Sequence, residues 1–180
     1  MKKTVLAALL GAALCSPWPA LAESSYLKVS VGQSRYGNPL DTDSERALSL
    51  AYGAALDPTW GYEVGYIHFG NLRQGVPGLS LTNRSQALFG AGVATLPINS
   101  ATRVYSKVGL AAVNTKVSFD VGYVGSVADS RTSANLMAGV GLDYKFSPQL
   151  AGNIEYQYFG YANQLATNLS AWTVGLKYGF

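Results

Sequence analysis

The sequence is short of the residues on which most enzymes and soluble domains depend. It holds one cysteine and one histidine in 180 residues. The histidine and cysteine clusters of zinc sites therefore cannot be built. Charge is scarce as well: 13% of residues are charged and 48% are hydrophobic, where soluble domains carry roughly 25% charge. Yet beyond residue 22 no uninterrupted apolar run reaches the ~18 residues expected of a membrane helix. The chain is too apolar for an ordinary soluble domain and too interrupted for a helical membrane protein.

What is present begins with a leader. Met1-Lys2-Lys3 precedes an apolar stretch from Thr4 to Ser16, then Pro17-Trp18-Pro19 and Ala20-Leu21-Ala22. A positive start, a short apolar centre and a small-x-small site make a cleavable secretory signal peptide, residues 1–22, cut after Ala22. The stretch is shorter than the ~20 residues of a transmembrane anchor. Leu14 stands before Cys15 where a lipoprotein signal needs a small residue. Cleavage removes Cys15, Lys2 and Lys3, leaving residues 23–180 as one domain with 11 basic and 10 acidic residues. That balance implies no nucleic-acid partner, and no disulfide or thiol chemistry.

The remaining chain alternates with period two over eight segments, near 25–35, 46–56, 59–69, 83–96, 102–114, 132–146, 150–159 and 169–180. In the first, Leu27, Val29 and Val31 oppose Lys28, Ser30 and Gly32. In the fourth, Ala87, Phe89, Ala91 and Val93 oppose Arg84, Gln86, Gly90 and Gly92. In the last, Trp172, Val174, Leu176, Tyr178 and Phe180 oppose Thr173, Gly175 and Lys177. Connections after the second, fourth and sixth segments are short turns, and the others are longer and polar. Short turns on one side and long loops on the other are expected of a membrane β-barrel, with an even strand count placing both termini in the periplasm. Strands of ~9–11 tilted residues span a bilayer.

A lipocalin-like barrel or a sandwich would also alternate, with its apolar face inward. Three features favour the apolar face outward. The minor face is glycine-rich and carries Lys28, Glu63, Arg84, Arg103, Lys107, Asp143, Glu155 and Lys177, a nearly balanced set that can pair inside a narrow lumen. Aromatics gather near strand ends, at Tyr26, Trp60, Tyr62, Tyr144, Phe146, Tyr158, Trp172, Tyr178 and Phe180, as interfacial girdles do. The final strand places Trp172, Val174, Leu176, Tyr178 and Phe180 at every second position, resembling the C-terminal signal read by the barrel assembly machinery. The expected fold is all-β, an eight-stranded antiparallel transmembrane barrel in the outer membrane of a Gram-negative cell.

The segments Trp60-Gly61-Tyr62-Glu63-Val64-Gly65-Tyr66, Tyr105-Ser106-Lys107-Val108-Gly109, Gly139-Val140-Gly141-Leu142-Asp143-Tyr144-Lys145-Phe146, Glu155-Tyr156-Gln157-Tyr158-Phe159 and Gly175-Leu176-Lys177-Tyr178-Gly179-Phe180 resemble the OmpA-like and opacity-type family of small outer-membrane barrels. The resemblance covers essentially all of residues 23–180. It implies lumenal ion pairs in place of a wide channel, with Glu63, Lys107, Glu155 and Lys177 as candidates, and variable exposed loops. Longer OmpA proteins append a peptidoglycan-binding domain, and this sequence stops at the barrel.

Three functions follow from these readings. The first is a structural or surface-interaction barrel acting through loops at Tyr36 to Glu45, Gly70 to Thr82, Thr115 to Arg131 and Gly160 to Asn168, with Val117 to Val124 extending a hairpin; its extracellular ligand is unidentified. The second is a narrow pore, for which Gly61, Gly65, Gly90, Gly92, Gly139 and Gly141 leave lumenal space. The third is a lipid-modifying enzyme, which would need a serine beside a histidine. His68 is the sole histidine, with Ser80 and Ser85 across the neighbouring loop and no compact motif joining them. No catalytic, cofactor-binding or metal-binding residue is therefore assigned. Outer-membrane lipid is the expected surrounding, and a closed barrel without free edges is expected to be a monomer.

Overall fold

The computed structural model describes residues 24–38, 41–76, 79–121, 125–160 and 168–180. The leader expected at residues 1–22 lies outside them. Eight strands follow in order: β1 (Ser24–Asn38), β2 (Asp41–Ala55), β3 (Trp60–Val76), β4 (Leu79–Pro97), β5 (Thr102–Val121), β6 (Gly125–Lys145), β7 (Leu150–Phe159) and β8 (Asn168–Gly179). Each pairs antiparallel with its neighbour, and β1 pairs with β8 from Tyr26↔Gly179 to Gly37↔Asn168, which closes the barrel. Closure gives every interior strand group a partner, a condition for crossing hydrocarbon.

The three short turns are built alike. Leu56 N–H donates to Trp60 O at 2.8 Å, Ile98 to Thr102 at 3.0 Å and Phe146 to Leu150 at 2.9 Å. A polar side chain caps each one. Asp57 Oδ1 accepts from the N–H groups of Thr59 and Trp60, Asn99 Oδ1 from those of Ala101 and Thr102, and Ser147 Oγ from that of Leu150. Local side-chain acceptors of this kind are why Asx and Ser residues mark turns.

The opposite end differs in part from expectation, although the hairpin extension expected from Val117 is present in β5 as far as Val121. Much of the sequence read as loops continues as strand: β3 and β4 pair up to Val76↔Leu79, and β5 and β6 up to Val121↔Gly125. The β3–β4 and β5–β6 connections are thus β-ribbons rising from the barrel, because their residues find ladder partners. Residues 39–40, 77–78, 122–124 and 161–167 of those connections lie outside the described set.

The apolar stripes of most strands face outward. Val108, Leu110 and Leu136 are among the most exposed side chains, Leu136 at 70%, and such exposure is tolerable only against lipid. β4 is an exception. Ala87, Phe89, Ala91 and Val93 are buried inside, while Gln86, Leu88, Gly90 and Gly92 face out. Gly90 and Gly92 therefore leave no lumenal space. Tyr26 is a second correction, since it shares the inward parity of Lys28 and is absent from the outer girdle.

Candidate functional site

The lumen is filled in three tiers. The middle tier is a ring of alternating charge. Lys28 Nζ lies 2.7 Å from Glu63 Oε2 and 2.5 Å from Glu155 Oε2. Lys107 Nζ lies 2.7 Å from Glu63 Oε1 and also pairs with Glu155. All four side chains are buried, Glu155 completely. Tyr26 Oη donates to Glu63 at 3.0 Å and Tyr105 Oη to Glu155 at 2.7 Å. Two lysines and two glutamates sum to zero, so the ring places buried charge without net charge, the condition under which burial is tolerated.

Toward the short turns lies a second tier. Lys177 Nζ donates to Asp143 Oδ2 at 2.8 Å, and Asn153 Nδ2 reaches both Asp143 Oδ1 at 2.7 Å and Tyr105 Oη at 2.8 Å. Lys177 also sits 3.8 Å from the Tyr26 ring centroid, within cation–π range. Asn153 and the two tyrosines thereby link the tiers. Lys28 and Lys177 stand directly opposite in register, yet their ammonium groups part, one to the ring and one to Asp143.

Toward the long ribbons the lumen becomes apolar. Ile67, Phe69, Phe89, Val113, Met137 and Phe159 are buried together. Phe69 and Phe159 pack edge-on with centroids 5.1 Å apart, and Phe89 lies 6.4 Å from Phe159. Lys107 Nζ stands 4.7 Å from the Phe89 ring centroid, where the apolar plug meets the charged ring.

The large inward side chains have dedicated seats. Tyr26 is paired with Gly53, Phe89 with Gly65, Tyr105 with Gly141 and Lys107 with Gly139. A methyl group added at Gly65 would lie 2.6 Å from Phe89 Cζ, and one at Gly139 would lie 2.9 Å from Lys107 Cε. At Gly53 it would lie 2.2 Å from Tyr26 Cζ, and at Gly141 2.4 Å from Tyr105 Cζ. These glycines accommodate rings and an alkyl stem; they do not leave a channel.

Of the eight lumenal charges expected from sequence, Lys28, Glu63, Lys107 and Glu155 meet in the ring, and Asp143 and Lys177 meet beneath it. Arg103 has inward parity but stands exposed at the short-turn mouth. Arg84 is corrected: it lies on the outer face, where its Nε is 3.1 Å from His68 Nε2. Its parity follows the inverted face of β4. Tyr26, Tyr105 and Asn153 complete the network, and only their shared parity with the lysines and acids marks them in the sequence.

Above the apolar belt, Arg35, Arg46, Arg84 and Lys116 all face outward and are exposed on four strands. Arg84 and Lys116 are directly paired in register. His68 shares this rim, with Gly70 N–H 2.9 Å from its Nδ1. A neutral imidazole has one free lone pair, so it accepts from Gly70 or from Arg84. Ser85 faces the other way, buried in the lumen, its Oγ 3.1 Å from Thr115 Oγ1. The serine–histidine pairing considered for catalysis is not assembled by these two residues. At Gly70 the ladder between β3 and β4 shifts register and φ is +83°; a side chain there would also meet Glu45 and Arg46.

Solved structures similar to it include barrels of bacterial outer-membrane proteins. Ail, the attachment invasion locus protein of Yersinia pestis, in complex with the heparin analogue sucrose octasulfate, is similar with a TM-score of 0.67 at 19% identity, over 87% of this chain and 98% of that one. Neisserial surface protein A gives 0.67 at 16% identity, over 87% and 97%. The N-terminal barrel of Pseudomonas aeruginosa OprF gives 0.62 at 12%, over 88% and 98%. At such identities the likeness is one of fold. A search of the curated proteins finds no match. The family model for the outer membrane protein beta-barrel domain matches residues 5–180, and with eight closed antiparallel strands behind that match, the chain belongs to this outer-membrane barrel family.

Proposed function

We propose that this protein is a non-conducting, non-enzymatic surface-interaction barrel whose ribbons and outward basic rim meet its partners. The observation that carries this reading is the double closure of the lumen. Ions entering from the short turns meet the neutral Lys28–Glu63–Lys107–Glu155 ring, and beyond it the apolar plug of Phe69, Phe89 and Phe159. The eight charges first read as a lumenal set thus act as a stopper of six, with Arg103 at its mouth and Arg84 outside.

In this reading the short turns and both termini face the periplasm, and the four long connections face outward. The leader is cleaved after Ala22 during export. The outward row Trp172, Val174, Leu176, Tyr178 and Phe180 on β8 is the surface offered to the assembly machinery. Arg35, Arg46, Arg84 and Lys116 sit where anionic headgroups or an external polyanion would meet the rim, and the mature barrel is a monomer. The sulfated ligand bound by Ail suggests sucrose octasulfate as a probe.

The test is paired. Planar-bilayer recordings of the purified protein should show no discrete conductance steps, and sucrose octasulfate should bind vesicles carrying it more weakly after Arg84→Gln with Lys116→Gln. Reproducible steps altered by Glu63→Gln would establish the pore reading in its place.

A further inference from the structure

Charge is balanced in the middle of the lumen and unbalanced at its short-turn mouth. Arg103, Lys145 and Lys177 line a cavity of about 390 Å³ there, with Asp143 among them. Asp143 is already engaged, one oxygen with Asn153 and the other with Lys177. The cavity's other carboxylate, Asp57, accepts from the N–H groups of Thr59 and Trp60. Among the described residues neither Arg103 nor Lys145 has an ion pair or a side-chain hydrogen bond.

The register brings these cations to one place. Lys145 pairs with Ala151, and Ala151 with Lys177, so two lysines flank one small residue in a single inward row. Two strand spacings separate the lysine backbones by roughly 10 Å, a gap that two long side chains can close upon. Arg103 is paired with Asp143 on the adjoining strands. Asp143 holds Lys177, and an anion placed between the two lysines would draw Lys145 in as well.

We propose that this vestibule is a binding site for a small phosphate-bearing anion. With Asp143 and Asp57 counted, the three cations leave the vestibule one net positive charge, and Arg103 and Lys145, the two without an ion-pair partner, can each take an oxygen of one phosphate. The Arg103 guanidinium offers a planar fork for two phosphate oxygens, and the lysines add point charges. The volume lies at the low end of the ~300–1,000 Å³ range of ligand pockets. A soluble phosphate and an anionic lipid headgroup share this chemistry.

The test uses protein purified from outer membranes into a nonionic detergent, where both mouths are open, so the result does not depend on the orientation proposed above. Inorganic pyrophosphate titrated by calorimetry should bind saturably. Arg103→Gln with Lys145→Gln should weaken binding by at least about tenfold, as expected for losing charge-assisted hydrogen bonds. Lys145→Gln alone should weaken it severalfold, which keeps the test available if the double variant fails to show heat-dependent gel migration. Gly90→Ala, on the outer face away from the cavity, should leave it unchanged, and Arg84→Gln with Lys116→Gln distinguishes binding at the other rim from binding here. In nanodiscs, competition by phosphatidylglycerol but not phosphatidylcholine would support the site and name a lipid headgroup as its source; undiminished binding in both would support it with a soluble anion. No binding by the wild type, equal binding by the vestibule variants, or loss only in the rim variant would overturn the proposal.

Discussion

Glu155→Gln is the substitution that most directly probes the lumenal ring. Glu155 is fully buried, accepts from Lys28 and Tyr105, and pairs with Lys107. Neutralising it leaves two buried lysines sharing Glu63, one positive charge more than the ring can balance. Removing one member of a buried pair costs about 3–5 kcal/mol. With a urea dependence of about 2 kcal/mol per molar, the unfolding midpoint should fall by roughly 1.5–2.5 M. Adding Lys107→Met restores neutrality, keeps the Lys28–Glu63 pair, and lays a thioether against Phe89. The double variant should recover most of the loss. Urea unfolding in lipid vesicles, followed by the emission of Trp60 and Trp172 on the lipid face, measures both midpoints. A shift below about 0.5 M for Glu155→Gln would refute the reasoning, as would a double variant whose losses simply add.

Further expectations concern the wall, the seats and the turns. Leu136→Arg, at the most exposed belt position, should destabilise the inserted barrel by about 2–4 kcal/mol, read by the same urea titration; a neutral result would argue that this face does not meet lipid. Gly141→Ala should push Tyr105 off Glu155 and cost about 1–3 kcal/mol, while Gly90→Ala, whose methyl would meet only Val64 at 3.9 Å, should be close to neutral. Asp57→Ala removes two turn hydrogen bonds and should cost about 1 kcal/mol, appearing as slower refolding or a lower midpoint. Gly70→Ala forces a side chain into a left-handed position against Glu45 and Arg46, and should loosen amide-exchange protection around the β3–β4 ribbon before it alters the belt.

The period-two signal was legible because lipid and lumen impose opposite demands on alternate residues of nearly every strand. It failed where both environments want the same thing. The upper lumen is apolar, so β4 carries hydrophobic residues on both faces, and its apolar content alone could not say that Phe89 points in and Arg84 out. Tyr26 was misread by chemistry where parity was available, since it lies two residues before Lys28. The β3–β4 ribbon was missed because polar composition resembles loop composition, while cross-strand pairing, which decides the matter, is not a local property; over β5 the stretch from Val117 did mark an extended hairpin. Ring members Glu63 and Lys107 were visible as charges on an otherwise small-residue face. Their partnership across β3 and β5 required the closed barrel.

The glycine seats bear on how the barrel finds its closure. Tyr26, Phe89, Tyr105 and Lys107 each cover a neighbouring position with no side chain. Sliding any of these strand pairs by two residues keeps inside and outside correct, so lipid would not object to the error. Slipped, however, Tyr26 would land on an alanine and Phe89 on Glu63 or Ile67, and between β5 and β6 at least one of Tyr105 and Lys107 would meet an occupied position. Lumenal bulk therefore proofreads an alignment to which the membrane is blind.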